Sequence, residues 1–105
     1  MKKRSATFRR ETKETLISIS LDLDGEGRTQ IETGIPFFNH MLDQLGRHGN
    51  FDLNIEAKGD LEIDAHHTVE DVGIAIGTCF KEAVGEKFGI QRFASASCPL
   101  DEALV

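Results

Sequence analysis

Hydrophobic and polar residues alternate strictly in the first third of the chain. Isoleucine or leucine fills every second position, with serine and aspartate between them: Ile17, Ile19, Leu21 and Leu23 against Ser18, Ser20 and Asp22. A period of two indicates a strand with one buried face. Residues 24–27, Asp-Gly-Glu-Gly, predict a turn, and the alternation resumes from Thr29 to Thr33. Residues 15–33 are therefore predicted to form a hairpin, and the charged, Thr-rich residues 4–12 an edge strand.

A helical period follows the predicted hairpin. Pro36 suits a first helical position, and Gly49 a helix end. Apolar residues recur at the spacing i, i+3, i+4, i+7 of one helix face: Phe38, Met41, Leu42 and Leu45. This apolar stripe is predicted to pack on the sheet.

The second half of the chain predicts a strand and then a helix. Alternation runs from Phe51 to Ala65, which fits either one long bent strand or two strands joined by a turn at 58–60. A helix is predicted from His66 or His67 to a stop at Gly89. Its apolar stripe comprises Val69, Val72, Ile76, Cys79 or Phe80, and Ala83. Three glycines lie within the predicted helix: Gly73, Gly77 and Gly85. Residues 94–99 fit either a loop or a strand.

The predicted order is strand, strand, strand, helix, strand, helix. This order defines an α+β fold, a layer of antiparallel or mixed sheet with helices on one face. Such a single layer leaves the outer helix faces only partly covered, which indicates a missing half.

Composition and charge disfavour some classes of partner and indicate a cellular compartment. The net charge of −6 over 105 residues argues against nucleic acid or an anionic membrane as the main partner. Cys79 and Cys98 form no paired spacing, which fits a reducing compartment. No signal peptide or stretch of transmembrane length is visible. The default expectation is a cytoplasmic protein.

The sequence His66-His67-Thr-Val-Glu70 is the strongest chemical signal. Imidazole and carboxylate groups together bind Mn, Fe, Co and Zn. Adjacent side chains on a helix point about 100° apart, whereas residues at i and i+3 share a face. The spacing therefore predicts that His67 and Glu70 bind one ion and that His66 points elsewhere; the alternative is a solvated histidine pair.

The first predicted helix has an unusual polar face. His40, Gln44 and either Arg47 or His48 follow one another at i, i+4 and i+7 or i+8. These groups are suited to binding a ligand, and an ordinary solvated face is the alternative.

These residues resemble the imidazoleglycerol-phosphate dehydratase family. The resemblance covers essentially the whole chain, and it rests on the following segments: Arg10-Glu11-Thr12, Glu14-Thr15, residues 33–38, His40-Met41-Leu42, Gly59-Asp60, residues 66–73, residues 89–93 and residues 101–104. Family members are about twice as long, with two similar β-β-β-α-β-α halves like domain 2 of ribosomal protein S5. The resemblance thus implies that residues 1–93 form a first half and that residues 94–105 begin the second.

The resemblance also implies a metal-dependent hydro-lyase of histidine biosynthesis, which dehydrates imidazole glycerol phosphate to imidazole acetol phosphate. His40, His67 and Glu70 would bind one manganese ion (Mn2+) and His66 a second, although other divalent metals are possible. The remaining ligands would come from a second double-histidine block, which this sequence does not contain, and from neighbouring subunits. The family also implies self-association into a large, cage-like homo-oligomer, with no nucleic-acid or membrane partner.

The resemblance further implies substrate contacts from the following residues: Glu14, His40, Gln44, Arg47, His48, His66, His67, Glu70, and Arg92 toward the phosphate. Proton transfer is assigned to Glu14 or Glu70, with Glu14 preferred because Glu70 is also a ligand, and Gln44 orients the substrate. Asp64 and Asp71 are expected either to fix imidazole tautomers or to stabilise the helix start.

Two other functions compete with this one. A zincin-type metallohydrolase is disfavoured because neither His-Glu-x-x-His nor its inverse occurs. A catalytically inert S5-like structural module that retains partial metal binding is the principal alternative, since fold alone decides neither activity nor its absence.

Overall fold

The computed structural model describes residues 3–105. Its elements are β1 (Ser5–Glu11), β2 (Thr15–Asp22), β3 (Thr29–Glu32), α1 (Pro36–Gly49), β4 (Asp52–Gly59), α2 (His66–Val84), β5 (Pro99–Leu100) and β6 (Ala103–Leu104). The predicted α+β order is confirmed through α2. A small antiparallel hairpin of β5 and β6 ends the chain.

The main sheet has the strand order β1-β2-β4-β3. β1 pairs antiparallel with β2, and β2 antiparallel with β4, whereas β3 lies parallel to β4. β1 is thus an edge strand, as predicted. The predicted hairpin of residues 15–33 is wrong, because β4 lies between β2 and β3.

The connection from β2 to β3 explains that difference. One carboxylate oxygen of Asp52, the first residue of β4, accepts hydrogen bonds from the backbone amides of Glu26 and Arg28, each at 2.9 Å. The backbone amide of Leu53 donates to the carbonyl of Arg28, also at 2.9 Å. These bonds hold the connection across the start of β4, so β3 pairs on the far side of that strand.

One face of the sheet carries the core, and both helices pack on it. The core residues come from alternate strand positions and from the inner helix faces: Ala6, Ile17, Ile19, Leu21, Leu42, Phe51, Leu53, Ile55, Ala57, Val72, Ala75, Cys79 and Ala83. The predicted stripes are only partly correct. Met41, Leu45 and Val69 are each more than 40% exposed, and the buried face of α2 instead includes Thr68, Asp71 and Ala75.

The structure defines both ends of α2, at His66 and Val84. The alternation from Phe51 to Ala65 is interrupted: β4 stops at Gly59 and a turn covers residues 61–63 before the helix starts at His66. The predicted stop at Gly89 is wrong, because the helix ends at Val84. Gly85 has φ +60°, outside the helical region, and its amide still bonds to the carbonyl of Lys81.

Residues 86–98 contain no helix or strand. Within residues 3–105, no helix combines the length and hydropathy needed to cross a membrane.

Candidate active site

The paired histidines lie at the entrance to α2, where their rings form a T-shaped pair. The ring centroids are 5.4 Å apart and the ring planes are inclined by 70°. Nδ1 of His67 lies 2.8 Å from Oδ2 of Asp60, whereas Nε2 of His66 lies 3.4 Å from Oε2 of Glu70. The two imidazoles therefore contact different carboxylates.

Glu70 contacts His66, and its predicted role as a metal ligand together with His67 is not tested by this contact. Glu70 lies one helical turn after His66, at i+4, and this spacing brings the two side chains together as readily as i+3 does. Among residues 3–105, no three histidine, cysteine or acidic side chains converge on a common point that could hold a metal ion. The assignment of His40, His66, His67 and Glu70 as ligands stays a prediction.

The environment of His67 is acidic. The hydrogen bond with Asp60 raises the pKa of His67 above its ordinary value, and the charges of Asp60, Glu14 and Asp71 act in the same direction, while desolvation opposes them. Glu14, the predicted base, is thus one of the acidic groups that raise the pKa of His67. Its backbone amide donates to Oγ1 of Thr12 within the connection between β1 and β2.

Sheet register explains why these residues meet. Thr15 at the start of β2 pairs with Gly59 at the end of β4, so Glu14 and Asp60 extend from the same end of the sheet. β3 runs parallel to β4, so the chain leaves β3 at this end as well and then enters α1. This end of the sheet, called the site end below, thus carries Glu14, Asp60, the first turns of both helices and the two histidines of α2.

The predicted polar face of α1 extends well beyond the site end. His40 lies in the first turns, with its ring centroid 6.3 Å from that of Phe37. His48 is eight residues further along, about 12 Å at the helical rise. There Nε2 of His48 lies 2.8 Å from the Gln44 amide oxygen, and Arg47 donates to both oxygens of Asp43 at 2.9 Å. Arg47 and His48 are therefore engaged on α1 itself.

The remaining candidates have separate surroundings. Arg92 is exposed in the segment after α2, and no hydrogen bond or ion pair of its side chain is found within residues 3–105. Asp64 accepts a hydrogen bond from the backbone amide of His66 at 3.0 Å, which supports its predicted role at the helix start. Asp71 is buried, accepts the hydroxyl of Thr15 at 2.5 Å and lies 3.5 Å from Nε of Arg10.

Asp60 is the site residue that sequence reasoning missed. It lies in the turn after β4, seven residues before His67, and a contact across a turn leaves no periodic signal. The Gly59-Asp60 pair does occur among the segments that resemble the dehydratase family, and this was the one available clue.

The fold and the candidate site together define a class of protein. A four-stranded mixed sheet covered on one face by two helices is an α+β half-unit like domain 2 of ribosomal protein S5, here with a cluster of histidines and carboxylates at one end of the sheet. A family model described as imidazoleglycerol-phosphate dehydratase matches residues 33–105. The chain belongs to the imidazoleglycerol-phosphate dehydratase family.

Individual relatives agree with this assignment. The chain is 64% identical over 101 residues to a protein from Gluconacetobacter diazotrophicus named imidazoleglycerol-phosphate dehydratase, covering 96% of the chain and 51% of the relative. A protein of the same name from Parafrankia is 60% identical over 102 residues, covering 97% of the chain and 52% of the relative. The chain thus spans about half the length of the curated relatives it matches.

A solved structure gives the same result for the fold. The crystal structure of imidazoleglycerol-phosphate dehydratase from Staphylococcus aureus N315 superimposes with a TM-score of 0.79 at 35% identity. The match covers 95% of this chain and 53% of that one.

Proposed function

We propose that this chain supplies half of a metal-dependent hydro-lyase that dehydrates imidazole glycerol phosphate to imidazole acetol phosphate in histidine biosynthesis. The observation that carries the proposal is the site end of the sheet, where two histidines contact Asp60 and Glu70 and where Glu14 also lies, in a chain of this family. That donor set is chemically suited to manganese.

Two features of the histidine side chains support metal binding. Nδ1 of His67 is engaged by Asp60, so Nε2 is the ring nitrogen left to bind an ion. His66 is mostly exposed and Glu70 is adjacent to it, so both can reach an ion outside the helix. We assign His40, His67 and Glu70 to one manganese ion and His66 to a second, with further ligands from a second double-histidine block.

Bound divalent metal would supply Lewis-acid stabilisation of negative charge on the imidazole of the substrate. Glu14 is the proposed base for the C–H proton, because it is exposed at the site end and is not needed as a ligand. Gln44 would orient the substrate, and Arg92 would neutralise its phosphate. Arg47 and His48 would need to leave Asp43 and Gln44 to contact the same molecule.

We also propose self-association, with no nucleic-acid or membrane partner. Apolar side chains remain exposed on both helices, among them Met41, Leu45, Val69 and Ile74. Such a surface indicates an interface, which another copy of the unit or a second half would cover. A monomeric sedimentation coefficient at micromolar concentrations would contradict self-association of this chain.

The test is to strip the chain of metal with a chelator and then titrate Mn2+, measuring bound ion by electron paramagnetic resonance and dehydration of the substrate at each step. Turnover that requires Mn2+ and is lost in Glu14→Gln supports the enzyme. Glu82→Gln, which changes an exposed carboxylate near the other end of α2, is the matched control and should leave both readouts unchanged.

The inert S5-like module is the second candidate, favoured by the lack of three convergent ligands within residues 3–105. It predicts Mn2+ binding that depends on His67 but no turnover at any protein concentration. A chain that neither binds Mn2+ nor turns over the substrate would exclude both candidates.

A further inference from the structure

Asp60 is a largely buried carboxylate with a single side-chain partner among the described residues. Its side chain is 16% exposed, and Oδ2 lies 2.8 Å from Nδ1 of His67. The second oxygen, Oδ1, is buried and makes no hydrogen bond within residues 3–105. Burying a carboxylate in this way costs stability, so the position is not explained by stability alone.

The backbone holds this carboxylate in a fixed place. The carbonyl of Asp60 accepts hydrogen bonds from the amides of Ile63, at 2.9 Å, and Asp64, at 3.4 Å. Immediately before it, Gly59 lies so close to α2 that a Cβ there would be 1.9 Å from Oγ1 of Thr68. Because Thr68 directly follows His67, the turn that carries Asp60 packs against the first turn of α2 next to the contact between Asp60 and His67.

The contact has a defined chemical consequence for the imidazole. A carboxylate can only accept a hydrogen bond, so Nδ1 of neutral His67 must carry the proton. The lone pair is then on Nε2, the nitrogen remote from Asp60. Metal-binding histidines commonly donate their other ring N–H to a carboxylate in this way, which fixes the tautomer and the ring orientation.

We propose that Asp60 is a positioning residue, which holds the His67 ring in its Nδ1–H tautomer and thereby presents Nε2 to a divalent cation. This inference rests on the proposed function, because it assumes that His67 binds a metal. Asp64 and Asp71 do not share the role. The side chain of Asp64 bonds to a backbone amide, and that of Asp71 to Thr15.

The first measurement is made on the metal-free chain. Long-range 1H–15N NMR spectra at a pH where His67 is neutral report which ring nitrogen carries the proton. The wild type should show the Nδ1–H form. Asp60→Ala should shift His67 toward the Nε2–H form that free histidine prefers, and Asp60→Asn, which keeps an oxygen acceptor, should shift it less. An unchanged tautomer in Asp60→Ala overturns the proposal.

The second measurement is Mn2+ affinity by electron paramagnetic resonance. Asp60→Ala should weaken binding by about 10- to 100-fold. Asp64→Asn, a carboxylate change four residues away that spares the ring contact, should leave both tautomer and affinity as in the wild type. A variant that loses thermal stability but keeps the wild-type tautomer and affinity would show a structural role only. A wild-type chain with the Nδ1–H form but no Mn2+ binding would overturn the proposed function, and the positioning role with it.

Discussion

The contact between Gly59 and Thr68 offers a sharp test of how the site end is built. A Cβ at position 59 would lie 1.9 Å from Oγ1 of Thr68 and 3.1 Å from its Cβ. Thr68 is fully buried in the first turn of α2. Gly59→Ala is therefore expected to push the helix start off the sheet.

The magnitude follows from two opposing effects. Overpacking of this kind costs about 1–3 kcal/mol. Replacing glycine by alanine also restricts the unfolded chain, which stabilises the fold by about 0.4–1 kcal/mol. The clash should prevail, with a net loss of about 1–2 kcal/mol, and each 1 kcal/mol lowers Tm by roughly 4–8 °C in a domain of this size.

The assay is urea unfolding followed by circular dichroism, for single and double variants. Thr68→Ala removes the clashing atom, so Gly59→Ala should cost much less in that background. Thr68→Val keeps a heavy atom at the same place, so it should give no rescue. Gly73→Ala, where a new Cβ meets nothing within 4 Å, is the matched control and should stabilise α2 by about 0.5–1 kcal/mol. Equal costs of Gly59→Ala in the Thr68→Ala and Thr68→Val backgrounds would refute the explanation.

Two further predictions concern polar contacts. Thr15→Val removes a 2.5 Å hydrogen bond to the buried Asp71 carboxylate and should lower the free energy of unfolding in urea by about 1.5–3 kcal/mol. The control, Thr78→Val, loses only an exposed hydrogen bond to the Ile74 carbonyl and should cost little. Similar losses of stability in both variants would contradict the prediction. The backbone amides of Glu26 and Arg28 hold the pKa of Asp52 below its ordinary value. Ionised Asp52 therefore stabilises the fold at pH values above the pKa of about 3.9 that it has in the unfolded chain, and this stability is lost as the pH falls through the lower pKa of the folded state. The stability difference between wild type and Asp52→Ala should therefore be constant from pH 7 to 5 and shrink at more acid pH; a difference that persists to pH 2 would exclude this origin.

Local patterns predicted the elements, and long-range contacts decided their arrangement. Period two identified β2, and Pro36 marked the start of α1. The place of β3 could not be predicted, since it depends on Asp52, more than twenty residues away, binding the amides of Glu26 and Arg28. The end of α2 was misjudged: the helix ends at Val84, before Gly85, whereas Gly89, which also has a positive φ, lies in the segment that follows.

In the candidate site, too, local patterns were predictable and long-range contacts were not. Helix geometry predicted separate partners for His66 and His67, and in the structure the two rings contact different carboxylates. The binding of one ion by His67 and Glu70 stays a prediction; in the structure Glu70 lies beside His66, and spacings of i+3 and i+4 both place side chains on one helix face. A residue that acts across a turn, as Asp60 does, becomes visible only when the chain is folded.

The close approach of Gly59 to α2 lies at the same end of the sheet as the candidate site. Thr15 and Gly59 are paired at the site end of the sheet, and each contacts the first two turns of α2, through Asp71 and Thr68 respectively. The histidines lie on those same turns. A substitution at any of these four positions should therefore alter the placement of both imidazoles as well as stability. Loss of metal affinity in such a variant is evidence of a direct ligand role only if the Asp60–His67 contact is shown to persist.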